Sequence, residues 1–474
     1  MKRLRVFLAN VGVRPRFYPV TTPPLGIMYI AAYLRSKLDV DIRIADQRLD
    51  NCTNEYLVRQ AVDFGADVVG LSALTATAHY QRQLCQEMRA ALPEALILLG
   101  GAHVGSFGAK ALEGTAADAA VPGEGERAFE LILRAHYDGG SLADVPGICW
   151  RSAEKEVLTN PGKLPVVDDV DSLPFPAYDL IDLPRYWQGH PNTPIPKLKA
   201  ISLFSSRGCP YGCYWCHHIF GKRFRAHSAE RVVDEIAYYQ KKYDTEDFEF
   251  VDDVFNFDGT RVLAVCDAIH GRNLRTNLMF PVGLRTDILT EEIIDAMTST
   301  GLLFCSFALE SASPRIQKLV GKNLNIDRFL ENVELAAKRR VFTDGFMMLG
   351  FPTETEEEIR RTIRVACASA LHTGSFYSVT PFPGTKLFDS VMKTHPEKLQ
   401  DISYENMDYS RLNVNLSEVP DKVLFQYQRK ATRRFYGNPH RLLRILRDHP
   451  KRHLIPAYAP LLLQRLTKGL FLGP

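Results

Sequence analysis

At 474 residues the chain exceeds one ordinary hydrophobic core, so two or three domains are expected. A hydrophobic content of 46% with 24% charged residues excludes a disordered or low-complexity chain. The net charge of +3, from 58 basic and 55 acidic residues, predicts no partner by itself, and nine cysteines are too few for a disulfide scaffold.

The start, Met1-Lys2-Arg3, leads into a short apolar run over Val6–Ala9 that reads as a first strand rather than a secretory signal. No uncharged stretch reaches the roughly 18 residues that span a bilayer, so a cytoplasmic protein is expected. Strand candidates follow at 6–10, 41–45, 66–72 and 95–100. Helical periodicity separates them over 26–38 and 55–64 and through Met88. This alternation predicts an α/β, doubly wound parallel sheet, which binds ligands beyond the carboxyl ends of its strands. Small, polar and hydroxylic residues collect at those ends: Ser72, Thr75 and Thr77, then Gly100, Gly101 and His103, then Gly123 and Glu124. They suit close approach of a large flat ligand, or they are turn and cap residues. No G-x-G-x-x-G is present, which disfavours a dinucleotide.

Pro24-Leu25-Gly26, Val69 to Thr75, Leu99-Gly100-Gly101-Ala102-His103 and Gly123-Glu124-Gly125-Glu126 together resemble the cobalamin-binding domain fused to many radical S-adenosylmethionine (SAM) enzymes. One departure matters. Domains that ligate cobalt from below carry D-x-H-x-x-G after the second strand, and here that stretch reads Asp46-Gln47-Arg48-Leu49-Asp50-Asn51. An arginine cannot ligate a metal, so cobalt would take no histidine from this motif.

Eight prolines between Pro161 and Lys199 mark an extended connector. A strand over 201–205 then enters Arg207-Gly208-Cys209-Pro210-Tyr211-Gly212-Cys213-Tyr214-Trp215-Cys216-His217-His218. Three thiolate ligands in a Gly- and Pro-punctuated loop wrap an iron–sulfur cluster and leave one iron open. The alternative is a Cys₃His zinc knuckle completed by His217 or His218. Five further strands, at 248–251, 279–284, 303–309, 343–349 and 375–380, give six β-α units, a partial barrel with chemistry at the carboxyl rim. On that rim lie Asp252, Asp253, Arg285, Glu310, Ser311, Gly350 and Pro352. Each also has a plain structural reading, Asp253 as a helix cap and Arg285 as a partner of Asp287 or Glu291.

The C-x₃-C-x₂-C spacing, with Trp215 before the last cysteine, resembles the radical-SAM signature. The resemblance implies that Cys209, Cys213 and Cys216 hold a 4Fe–4S cluster whose open iron takes S-adenosyl-L-methionine. It further implies that Trp215, Glu310, Ser311, Gly350 and Pro352 line that ligand, with Asp252, Asp253 and Arg285 near the reacting groups.

From Arg429 onward there are eleven Lys or Arg and one acid, Asp448, which leaves the rest of the chain at about −7. Arg441–Arg447 and Leu461–Leu472 read as basic amphipathic helices, for a membrane interface or for capping the barrel with their apolar faces inward. The expected division is 1–150 Rossmann-like, 151–198 linker, 199–400 partial (β/α)6 barrel and 401–474 helical. Over residues 1–400 the chain resembles the cobalamin-dependent radical-SAM superfamily. That implies methylation of an unactivated carbon in a small-molecule or lipid-like substrate, or a cyclisation or oxidation without methyl transfer. A non-catalytic cobalamin or redox sensor is the remaining alternative. An electron donor of the flavodoxin or ferredoxin type is expected, nucleic acid is not, and peripheral membrane contact is open.

Overall fold

The computed structural model describes residues 3–14, 20–400, 402–404 and 414–456. A first sheet comprises β1 (Leu4–Val11), β2 (Val40–Asp46), β3 (Val68–Ala73), β4 (Leu96–Gly100), β5 (Ala119–Ala120), β6 (Cys149–Arg151) and β7 (Val157–Thr159), in the order β2-β1-β3-β4-β5-β6-β7. The strands from β1 to β5 pair in parallel, as the β-α alternation predicts. The last two pair antiparallel. At three residues each they are too short to show an alternating pattern, and they carry the sheet past residue 150 to Thr159.

Helices α1 (Leu25–Lys37), α2 (Asn54–Phe64), α3 (Ala78–Ala91) and α4 (Glu126–Tyr137) flank this sheet. The sequence of α1 is apolar nearly all round, which a helix can sustain only when buried on several sides. Its Ile27, Ala31 and Leu34 pack on the first sheet, while Leu25, Met28 and Tyr29 join the core of the second domain. The two domains are thus packed through a shared helix.

The second sheet holds six parallel strands in the order β15-β14-β13-β12-β11-β8. They are β8 (Ile201–Leu203), β11 (Asp247–Phe250), β12 (Asn277–Leu284), β13 (Leu302–Glu310), β14 (Phe342–Leu349) and β15 (Thr373–Ser378). A two-stranded ribbon, β9 (Ser206–Arg207) with β10 (Arg225–Ala226), interrupts the first β-α unit. Outside run α5 (Ala229–Tyr243), α6 (Gly259–Gly271), α7 (Glu291–Ser299), α8 (Ile326–Lys338) and α9 (Glu356–Ala368). Alternate strand residues such as Phe248, Phe250, Cys305, Phe307 and Leu309 pack against the helices. The intervening positions face the barrel interior. Ile195 and Leu198 of the connector close the barrel floor against Met279, Phe304 and Phe342.

Helices α10 (Asp421–Tyr436) and α11 (Pro439–Asp448) lie against β15 and α9. The orientation of α11 reverses the expectation of an inward apolar face. Arg441 is 1% exposed and donates to Ala366 O, Cys367 O, Ser369 O and Leu371 O, just where α9 ends. A helix end leaves its last carbonyls without intrahelical partners, and a guanidinium with five donors satisfies several at once. With Arg441 turned inward, Arg444 partly covered and Arg447 exposed, Leu442, Leu443 and Leu446 stand 43%, 64% and 51% exposed. Among the described residues no helix is long and apolar enough to cross a membrane. The stretch Leu461–Leu472 lies outside the described residues.

Candidate active site

The ribbon β9–β10 sets Arg207 opposite Arg225 and closes the neck of a loop, 208–224, that carries the three cysteines. Gly208 has φ +85°, and a Cβ there would come 2.3 Å from Arg223 O, so the neck requires glycine. The loop is seated on the barrel rim from several sides. Tyr214 N donates to Val320 O at 2.9 Å, and Leu387 N donates to Tyr214 O at 2.9 Å. The Arg285 guanidinium stacks 3.9 Å from the Tyr211 ring centroid, and Trp215 meets Phe351 edge to face at 5.4 Å.

Cys209 and Cys213 are half-buried and Cys216 opens to the rim; all three are free thiols. Desolvation raises each thiol pKa, and for Cys216 the neighbouring Cys213, Asp253 and Cys209 charges help push it up to about 12. Three clustered soft donors that resist ionising alone fit a cationic cluster, which stabilises thiolates outright. Among the described residues no three His, Cys, Asp or Glu side chains gather as the ligand set of one metal ion. His217 Nε2, a candidate fourth zinc ligand, instead lies within hydrogen-bond reach of Pro383 O at 3.0 Å.

The rim residues divide into two groups. Asp253 lies at the mouth and accepts from Gly208 N–H, and desolvation of its carboxyl, then the charge of Asp252, pushes its pKa up to about 6. Glu310 adopts φ +60°, an uncommon backbone state for a non-glycine residue, and pairs with Lys322 Nζ at 3.0 Å. Gly350, φ +95°, and Pro352 form the turn after β14. Asp252, by contrast, is 2% exposed and accepts from Ser205 N at 2.7 Å, Ser205 Oγ at 2.5 Å and Ser206 Oγ at 2.7 Å. It braces the chain leading to the cysteines instead of facing the mouth. Ser311 is fully enclosed, its Oγ accepting from Ser313 N at 3.2 Å and lying 3.3 Å from Thr362 Oγ1. Arg285 holds Asp287 through two nitrogens at 2.9 and 3.2 Å and donates to Lys322 O at 3.0 Å, so its contact with the loop is the Tyr211 stack.

In the first domain the carboxyl ends of β3 and β4 present Ser72, Thr75, Gly100, Gly101 and His103. Gly101 has φ +89°, and a Cβ there would meet Ala73 O at 2.6 Å, whereas Gly100 faces open space. His103 is 9% exposed, its Nδ1 has no hydrogen-bond partner among the described residues, and burial lowers its pKa to about 4. A neutral buried imidazole with an idle nitrogen, beside glycines at strand ends, fits a large ligand such as cobalamin. Thr77 Oγ1 is taken up by Val11 O at 2.9 Å. The stretch after β2 is equally committed: Asp46 accepts from Tyr186 Oη at 2.7 Å, and Arg48 donates to Val20 O at 3.2 Å.

The strand ends of the two domains meet. A Cβ on Gly384, after β15, would lie 3.0 Å from Ser106 Cα in the short helix carrying His103, and one on Gly123 would lie 4.0 Å from Ile219 O in the cysteine loop. Glu124 is placed in ion pairs with Arg207 and Arg225 across this junction. Sequence reasoning missed Arg207, Arg225, Lys322 and Tyr211. Glu354, which belongs to the Gly350–Thr355 stretch resembling the family's G-x-P-x-E-T turn, is fully buried, and its Oε2 accepts from Gly350 N at 2.8 Å and Phe351 N at 3.1 Å. For Arg207 and Arg225 only the Arg-Gly-Cys order gave a signal, because their carboxylate partners lie 81 to 101 residues away.

Comparisons with known proteins agree with this arrangement. A B12 binding domain model matches residues 18–133 and a radical SAM superfamily model matches residues 203–366. An uncharacterized methyltransferase of Pyrococcus horikoshii is 28% identical over 455 residues, covering 95% of both chains. The anaerobic magnesium-protoporphyrin IX monomethyl ester cyclase of Rubrivivax gelatinosus is 24% identical over 419 residues, 86% of this chain and 73% of the cyclase. The solved radical SAM methyltransferase TsrM from Kitasatospora setae, with cobalamin and a [4Fe–4S] cluster bound, superposes with TM-score 0.69 at 16% identity, over 82% of this chain and 78% of that one.

Proposed function

Because the chain belongs to the cobalamin-binding radical SAM superfamily, we propose that it methylates an unactivated carbon of a small-molecule or lipid-like intermediate. The observation that carries this reading is the meeting of the two domains' strand ends, Gly384 of the barrel rim against Ser106 in the helix carrying His103, and the cysteine loop against Gly123. A methyl donor and a hydrogen-abstracting centre must reach the same carbon, and here their binding elements share one junction. When bound, the cofactors supply a 5′-deoxyadenosyl radical and a transferable methyl group.

The chain's residues hold and shield these groups. Cys209, Cys213 and Cys216 bind the cluster. Trp215, Glu310, Gly350 and Pro352 line the S-adenosylmethionine site, with Glu354 fixing the backbone of the turn. Arg285 presses Tyr211 and keeps the loop on the rim. Ser72, Thr75, Gly100, Gly101, His103 and Gly123 receive the cobalamin. The inward strand residues Phe346 and Tyr377, ring centroids 6.1 Å apart, give the barrel interior an apolar wall that excludes water from a reactive radical.

The test is turnover with methyl-deuterated S-adenosylmethionine and a flavodoxin-type reductant. Label in the product is expected. Deoxyadenosine without label would replace this reading with a ring closure or oxidation, which similarity to the cyclase favours. The exposed leucines of α11 support a further element of the proposal, peripheral contact with a membrane that holds the substrate.

A further inference from the structure

Two stems leave the barrel rim to form the cysteine loop, and both end on one carboxylate of the other domain. Arg207 Nη1 donates to Glu124 Oε2 at 2.7 Å, and Arg225 Nη1 reaches the same oxygen at 3.3 Å. Arg225 Nη2 donates to Glu124 Oε1, and Arg207 Nη2 to Glu126 Oε1 at 2.6 Å. The side chains of this quartet are 3–6% exposed. Two arginines, which stay charged, face two carboxylates, so the group is balanced, and each member depends on the others for compensation in a dry setting. The Arg207 guanidinium also lies 5.1 Å from the Tyr29 ring of α1 and 5.3 Å from Phe220 of the loop. Glu124 follows Gly123 at the carboxyl end of β5, on the edge that faces the cobalamin position.

We propose that Glu124 is a positioning residue that clasps the neck of the cysteine loop and couples cobalamin binding to cluster retention. A ligand that orders the 121–126 turn fixes Glu124, and Glu124 fixes both stems. An assembled cluster orders the loop, and the same carboxylate then presents a settled turn to the ligand. Such coupling is reciprocal by linkage. It holds whichever reaction follows.

The test uses hydroxocobalamin titrations of the full chain with and without its cluster, and iron release to a chelator with and without hydroxocobalamin, all anaerobic. In the native chain the cluster is expected to tighten hydroxocobalamin binding about fivefold or more, within the usual range of such couplings, and hydroxocobalamin to slow iron loss. Glu124→Gln is expected to reduce the binding ratio to about one, and Glu124→Asp to restore part of it. A merely structural role would shift both affinities and leave the ratio intact. Should Glu124→Gln fail to fold, the pair Glu124→Gln with Arg225→Gln keeps the charge balance and carries the test. Equal affinity in the native chain, or an unchanged ratio in the Gln variants, overturns the proposal.

Discussion

Glu249 points into the barrel floor from β11, is 4% exposed, and accepts from Ser202 Oγ at 3.0 Å. Burial, offset in part by that hydrogen bond, raises its pKa from 4.5 to about 7. Below pH 4 the carboxyl is protonated in both folded and unfolded chains and costs nothing. As pH climbs toward 7 the unfolded chain ionises first, so the folded state loses stability across that window and the loss levels off above it. A displacement of this size is worth roughly 3 kcal/mol. Glu249→Gln keeps the shape and the acceptor for Ser202 and removes the ionisation. The variant is therefore expected to match the native chain near pH 4.5 and to exceed it by roughly 3 kcal/mol at pH 8, or on the order of 10 °C in the barrel's melting temperature. Anaerobic thermal melts at both pH values measure this. A difference that is equal at the two pH values, or larger at the acid one, refutes the assignment of a neutral buried carboxyl.

Four other outcomes are expected. Cys213→Ala leaves the chain without stoichiometric iron and sulfide and without deoxyadenosine formation; normal turnover in that variant would contradict the cluster assignment. Gly101→Ala forces a side chain against Ala73 O at a strained φ, costing about 1–3 kcal/mol, and weakens hydroxocobalamin binding in a spectrophotometric titration. Arg285→Ala strands Asp287, which is 10% exposed, costing about 1–3 kcal/mol, and speeds iron loss to a chelator by freeing Tyr211. Leu443→Asp diminishes co-sedimentation with anionic liposomes; no binding by the native chain would remove the membrane contact.

The β-α order of both sheets, the six-strand count and the cysteine loop are legible in the sequence because each is local. Short, nearly continuous apolar runs such as Leu302–Glu310 and closely spaced thiols announce themselves within a few residues. The local pair of Arg285 with Asp287 was legible, but the roles of the carboxylates after strands were not, because such a group looks the same whether it meets a ligand or an arginine. Asp252 serves Ser205 and Ser206, 46 or 47 residues earlier, and Glu124 serves Arg207, 83 residues on. In α11 the amphipathic pattern is real, and its orientation followed the unpaired carbonyls where α9 ends, which no hydropathy pattern contains.

The Glu124–Arg207–Arg225 junction also bears on how such proteins can be recombined. The two domains read as separable modules, and a chimera joining another relative's first domain to this barrel would be the natural way to trade specificities. Without acids at 124 and 126, that hybrid would bury two guanidinium charges with no carboxylate to balance them. Exchange is expected to succeed only when the Gly-Glu-Gly-Glu turn travels together with both stems of the loop, so these distant short stretches form one unit of inheritance.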